Sequence, residues 1–100
     1  MIDFATSPQS TLGVEWEIAL IDRESGALTQ RASEVLSILR ERHPELLEPA
    51  SDRAHVTGEF LENTVEVVTG ICRTVAEACR QLQDLTDTLR DITDELGIEF

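Results

Sequence analysis

The chain has 100 residues, 41% hydrophobic and 28% charged, the balance of a globular domain rather than a disordered tail. Twenty acidic residues against eight basic ones give a formal charge of −12 and a pI near 4.3, which repels phosphate backbones and excludes nucleic-acid binding through a basic face. An aromatic content of 4% excludes a base-stacking platform. No apolar run approaches the roughly 20 residues of a membrane helix. The opening Met1-Ile2-Asp3-Phe4-Ala5-Thr6 lacks both the basic and the apolar region of a secretory signal. A cytoplasmic location without a membrane partner is the expectation.

Taken along the chain, residues 1–10 form a polar, irregular lead-in. Thr11 to Asp22 then alternates with period two: Leu12, Val14, Trp16, Ile18 and Leu20 face one way, Gly13, Glu15, Glu17, Ala19 and Ile21 the other. That pattern predicts a strand with one apolar face, and it places Trp16 in the core. Asp22-Arg23-Glu24-Ser25-Gly26 reads as a turn, with Gly26 supplying a positive φ, and Ala27-Leu28-Thr29 as a short returning strand. Val35, Leu36, Ile38 and Leu39 predict a helix over 32–43, stopped by Pro44 with His43 as its capping residue. Residues 44–55 read as a loop that includes a solvated His55.

A second strand is expected over Val56 to Val68, with Leu61, Val65 and Val67 on its apolar face and Phe60, Glu62, Thr64, Glu66 and Val68 opposite. Asn63 falls on the apolar face, where a backbone hydrogen bond near an edge would satisfy it, and Glu59 reads as solvated. Beyond Gly70 the spacing of Ile71, Val75, Ala78, Cys79, Leu82, Leu85, Leu89, Ile92 and Leu96 predicts a long helix. Its Arg73 and Arg80 side is a charged outer face. Gly97 is the C-cap, and Ile98-Glu99-Phe100 begins a strand with no partner in sequence. The expected fold is α+β, an antiparallel sheet packed against helices. Residues 1–100 read as one incomplete domain, the front part of something longer.

Cys72 and Cys79 lie two helical turns apart in that reading, about 10.5 Å and beyond the ~7 Å that a disulfide spans. They are expected as two small buried hydrophobes in a reducing compartment.

The carboxylates are the informative feature. Glu15 and Glu17 share a strand face about 6.7 Å apart, and Glu62 and Glu66 share another about 13 Å apart. With both apolar faces on one helical layer, all four would line the other side of the sheet. Two such charges repel by roughly 2.5 kcal/mol at an effective dielectric of 20 and far less when water and salt screen them. The face is therefore either an ordinary wet surface or a site for hard divalent cations, which take oxygen ligands. The 13 Å gap would require more than one ion. No acidic loop with a central glycine marks a calcium module.

Thr11-Leu12-Gly13-Val14-Glu15-Trp16-Glu17 with the following strand and turn, and Glu59-Phe60-Leu61-Glu62-Asn63-Thr64-Val65-Glu66-Val67-Val68-Thr69-Gly70-Ile71-Cys72, together resemble the opening of the carboxylate–amine ligases related to type-2 glutamate–cysteine ligase. The order and separation of the two stretches fit as well. The resemblance implies a partial glutamine-synthetase-like catalytic fold, with Glu15, Glu17, Glu62 and Glu66 holding Mg2+ and nucleotide phosphates. It implies an ATP-dependent reaction in which the side-chain carboxylate of glutamate is phosphorylated and an amine, such as that of cysteine, attacks the acyl phosphate, as in glutathione or related thiol biosynthesis. The Gly-x-His-Pro-aromatic stretch and the arginines expected further along in that family are not among these residues, so this chain alone is expected to be inactive. The competing expectation is a non-catalytic acidic interaction domain that self-associates through its long helix or its sheet edge. A homo-oligomer is expected in either case.

Overall fold

The computed structural model describes residues 10–58 and 61–100. It is α+β, as the patterning predicts. The element order is β1 (Glu15–Ala19), β2 (Ile21–Asp22), α1 (Ala32–Arg42), a 3₁₀ turn (Pro44–Leu47), β3 (His55–Gly58), β4 (Thr64–Val68), α2 (Val75–Glu95) and β5 (Ile98–Glu99). β1, β4 and β3 form one antiparallel sheet in that order, and β2 and β5 form a second, two-stranded one. The lead-in and the expectations for Glu59 and Phe60 lie outside the described residues.

The period-two pattern builds the core. Ile18, Leu20, Val56, Val65 and Val67 point to one side of the sheet and are buried with Ala32, Val35 and Leu39 of α1 and Leu85, Leu89 and Ile92 of α2. Helix α2 starts at Val75 rather than Ile71. Thr74 is its N-cap, accepting from the Glu77 N–H at 3.1 Å, while the Glu77 carboxylate accepts from the Arg73 N–H at 2.9 Å. This Thr-x-x-Glu arrangement satisfies two N-terminal donors and sets the start of the helix. Ile71 and Val75 consequently lie outside the buried stripe, 61% and 70% exposed.

Two long strands expected from the sequence are each broken in two. The first switches sheets at Leu20: its N–H goes to Asn63 O, beside β4, while its carbonyl accepts from the Thr29 N–H. Ile21 and Asp22 then pair with β5, so the terminal strand does have a partner, Asp22 opposite Ile98. Gly97, at φ 70°, makes the reversal that brings Ile98 back. The returning segment is reduced to one bridge, Ile21 to Leu28. The second expected strand is a hairpin, β3 against β4, in which the buried face passes from the even-numbered Val56 to the odd-numbered Val65 and Val67. Leu61, expected in the core, is 57% exposed in the connection. Asn63 also lies in the connection, with its backbone carbonyl taking the Leu20 bond.

Other placements differ from expectation for local reasons. Trp16 points to the core side but sits on the outermost strand, where the helices do not reach, and is 45% exposed. Cys72 is buried, bridged to Leu12 ahead of the helix, whereas Cys79 is exposed; both are free thiols. His43 caps α1 as expected, its N–H donating to Leu39 O at 2.7 Å. His55 begins β3 instead of lying in a loop.

The Asp22–Gly26 turn forms as predicted. Asp22 Oδ1 accepts from the Glu24 and Ser25 N–H groups at 3.0 and 2.8 Å, and Gly26 has φ 73°. The Ser25 backbone bond is the main reason the Asp22 carboxyl titrates below its ordinary value. Guanidinium bonds lower Glu34 (from Arg31) and Glu95 (from Arg42) in the same way. Each of these groups stabilises the fold above the ordinary carboxylate range, and that stabilisation is lost as pH falls through the folded values. The thermal midpoint should therefore fall on acidification below about pH 4.5, and a Glu34→Gln/Glu95→Gln chain should show a flatter profile by calorimetry.

Gly70 is required by close packing. A Cβ there would lie 2.5 Å from Ser51 O and 2.9 Å from Arg53 N, both backbone atoms. The register Val14 to Thr69 becomes Leu12 to Cys72 across it, a one-residue bulge that turns the Ile71 N–H to Ser51 O at 2.8 Å. Gly70→Ala should cost about 1–3 kcal/mol, read as a drop of roughly 4–20 °C in the thermal midpoint. An unchanged midpoint would mean that the loop at Ser51 yields freely.

Candidate functional site

The backbone decides which side chains meet on the outer face. Val14 O accepts from the Thr69 N–H at 2.9 Å, and Leu20 N–H donates to Asn63 O at 2.8 Å. Backbone direction alternates along a strand, so Val14, Trp16, Ile18 and Leu20 direct their N–H and C=O groups toward β4, and Glu15, Glu17 and Ala19 direct theirs away from it. Glu17 and Glu66, directly opposite in the register, are then a non-hydrogen-bonded pair, with Cα atoms about 4.5 Å apart and side chains in their closest cross-strand relation.

Glu15 lies on the same face two residues along β1, about 6.7 Å from Glu17. Across the sheet the face reads in two rows: Thr57, Glu66, Glu17 and then His55, Val68, Glu15. Glu15 and Glu17 are exposed, and Glu66, Thr57 and His55 are half-buried. The structure thus brings together three of the four glutamates expected on one face. His55 and Thr57 join them, and their presence follows once the antiparallel pairing of β3 with β4 is recognised. The Nδ1 atom of His55 is buried with no hydrogen-bond partner among the described residues.

Glu62 is elsewhere. It lies in the β3–β4 connection, not on a strand. Ser33 Oγ donates to both its carboxylate oxygens at 2.8 Å, and the Ser33 N–H adds a contact at 3.3 Å. Its own carbonyl takes the Ala32 N–H at 2.9 Å. Arg31, the N-cap of α1, contributes no side-chain cap, so Glu62 closes that helix end from a distance, a negative charge at the positive pole of the dipole. The expected spacing of Glu62 and Glu66 along one strand does not exist.

Two unit charges about 5 Å apart repel by roughly 3 kcal/mol at an effective dielectric of 20 and by under about 1 kcal/mol in bulk water. The Glu17–Glu66 pair is tolerable while wet, and it becomes a strong ligand pair for a hard cation if the face is covered. As the side chains stand, no three carboxylate, imidazole or thiol groups among the described residues are gathered on one point. A basin of about 480 Å³ opens beyond the Glu15 end of the sheet, between Thr11–Gly13, Pro49–Ser51 and Thr69–Ile71, with no ionisable side chain in its lining. Among the described residues no helix is long and apolar enough to cross a membrane.

Comparison with known proteins gives the family of the chain. A protein of Corynebacterium efficiens named "Putative glutamate--cysteine ligase 2-1" is 59% identical over 76 residues, 76% of this chain and 18% of that protein. Relatives of the same kind of name in an Arthrobacter species and a Nocardioides species are 55% and 46% identical over the same share of this chain, which is 20% and 18% of their own lengths. The chain therefore spans about a fifth of the length of the curated relatives it matches. The family model described as "Glutamate-cysteine ligase family 2(GCS2)" matches residues 11–100, and the chain belongs to that family.

Proposed function

We propose that these residues are the N-terminal segment of an ATP-dependent carboxylate–amine ligase with a glutamine-synthetase-like catalytic fold, and that Glu15, Glu17 and Glu66 hold its magnesium. The observation that carries this reading is the close Glu17–Glu66 pair with Glu15 beside it on one face, in a member of glutamate–cysteine ligase family 2. An all-carboxylate donor set suits Mg2+, which accepts one or two protein carboxylates and fills its remaining positions with water and substrate phosphate oxygens. The bound ion would supply charge neutralisation to a triphosphate as the phosphoryl group moves.

The substrates that fit are ATP, glutamate and an amine such as that of cysteine. A glutamate side-chain carboxylate oxygen attacks the γ-phosphorus and ADP leaves. The amine nitrogen then attacks the acyl carbon, the bond from that carbon to the phosphate oxygen breaks with its electron pair on the departing phosphate, and the nitrogen releases a proton. The role of this chain is to place the carboxylates on a rigid sheet, where pre-set charge does the stabilising without reorganisation. No side-chain nucleophile is needed. The neutral basin next to Glu15 suits an uncharged part of a substrate. Glu62 reaches an ion only by giving up Ser33. The two free thiols support a reducing, cytoplasmic setting.

The test is glutamate-dependent release of ADP from ATP by the full-length protein with an amine present. Glu17→Gln should lower it by about 10²–10³-fold, the scale of one lost electrostatic contact to the transition state. The absence of glutamate-dependent ADP, or equal turnover in Glu17→Gln, would sink the reading. Glu62→Gln keeps an acceptor for Ser33 but loses the charge at the helix end. It should lower the thermal midpoint by only a few degrees, a cost of about 0.3–1 kcal/mol, and leave the magnesium dependence of turnover unchanged. A shifted magnesium dependence would return Glu62 to the ligand set.

A further inference from the structure

The two edges of the main sheet are unlike. Along β3 the 3₁₀ turn Pro44–Leu47 packs against the strand, with Leu46 and Leu47 tucked against the core. Along β1 no such cover exists among the described residues. The outward N–H and C=O groups of Glu15, Glu17 and Ala19 have no backbone partner among the described residues, and Trp16 is 45% exposed on the core side of the same edge. Edge strands are ordinarily protected by proline, a bulge, charged side chains or a covering loop. Of these, β1 carries only the charges of Glu15 and Glu17 over its five residues.

Charge decides what can occupy the edge. Twofold antiparallel pairing of β1 with a second copy over its full length sets Glu17 against its own counterpart. Sliding two residues toward the N-terminus sets Glu15 against Glu17 twice. Sliding the other way leaves only Glu17 to Ala19 paired. Like charges directly opposite destabilise a ladder, and Glu17 already faces Glu66 on its inner side. The edge therefore selects against its own copy and favours a strand that carries positive charge outward and apolar side chains inward against Trp16.

We propose that the open edge of β1 docks an extended segment with alternating apolar and cationic side chains, which pairs with the backbone of Glu15, Glu17 and Ala19 and covers Trp16. Its occupant is a strand of the longer polypeptide, since the relatives carry about four times the length of this chain. This is recognition by strand addition: main-chain bonds supply affinity, and alternate side chains supply selectivity.

Trp16 is the chain's only tryptophan, so its emission reports directly on the edge. The probe is a short synthetic peptide alternating lysine and valine, added to the 100-residue chain in chelator. That condition makes the outcome independent of whether magnesium binds. The Trp16 emission should shift to the blue and saturate. Amide exchange at Glu15, Glu17 and Ala19 should slow by at least about tenfold, while Trp16 and Ile18, already bonded inward, stay unchanged. Ala19→Pro removes one outward donor without touching a glutamate, a change that edge strands tolerate, and should weaken binding about tenfold. A glutamate–valine peptide, or a lysine–valine peptide with the alternation scrambled, should not compete. Binding without protection of those three amides would reduce the effect to charge adsorption and overturn the proposal. Protection that rises with chain concentration in the absence of peptide would overturn it too, making a second copy the occupant. The exchange measurement uses the unaltered chain, so it stands even if the proline variant fails to fold.

Discussion

The antiparallel register between β1 and β4 is the constraint on which both the core and the acidic face depend. With Trp16 opposite Val67 and Ile18 opposite Val65, the bonded pairs point their side chains to the helices. The intervening pairs, including Glu17 opposite Glu66, point theirs away. A one-residue slip of β1 would turn that strand over, burying Glu15 and Glu17 and exposing Ile18, because side chains repeat with period two. The apolar pattern thus locks the position of the carboxylates: the burial of Ile18, Val65 and Val67 on one side holds three acids together on the other. Devices at both ends reinforce the register. Val14 N–H donates to Thr69 Oγ1 at 2.9 Å at one end, and Leu20 N–H reaches Asn63 O at the other.

Much of this was legible in the sequence. The alternation around Ile18 and Val67, the stripe from Ala78 to Ile92, the Asp22–Gly26 turn and the glycine cap at Gly97 are all local signals, and the structure follows them. Periodicity alone could not show where a strand changes partner. Leu20 continues the β1 alternation without interruption, yet its bonds pass to Asn63 and Thr29. The two arms of the β3–β4 hairpin differ in parity, Val56 buried at an even position and Val65 and Val67 at odd ones, but carrying the β4 alternation back past Thr64 as one strand hides the turn. Glu62 was misplaced for that reason: its count from Glu66 fits a strand, but Ser33 holds it at the end of α1. Trp16 shows the other limit. Alternation tells which face a side chain takes, not whether anything covers that face.

Three of the chain's eight basic residues gather at the C-terminal end of α2. Helix α2 has no basic residue in its last turn, and arginines from elsewhere serve its C-terminal end. Arg31 donates to Leu96 O at 2.8 Å, Arg42 grips Glu95 at 2.7 Å, and Arg23 bridges Asp94 and Glu99 at 2.6 and 3.2 Å. A cation at that pole complements the helix dipole, and these contacts tie β2, α1 and α2 together. Each pair is exposed and individually weak. Their grouping draws three arginines to one end of the molecule.

Glu15, Glu17 and Glu66 therefore share a face to which this chain contributes no arginine in β1, β3 or β4. Such a face is stable only under conditions that lower the mutual repulsion of its charges: water and salt while it is open, or positive charge once it is covered. Covering it without compensation would raise the effective repulsion several-fold as the local dielectric falls. The same argument applies to the β1 edge, where a neighbouring strand brings its own side chains beside Glu15 and Glu17. Any polypeptide that completes this sheet is thus constrained in composition as well as in shape: at the positions flanking the glutamates it must be neutral or cationic, or it must bring divalent ions with it.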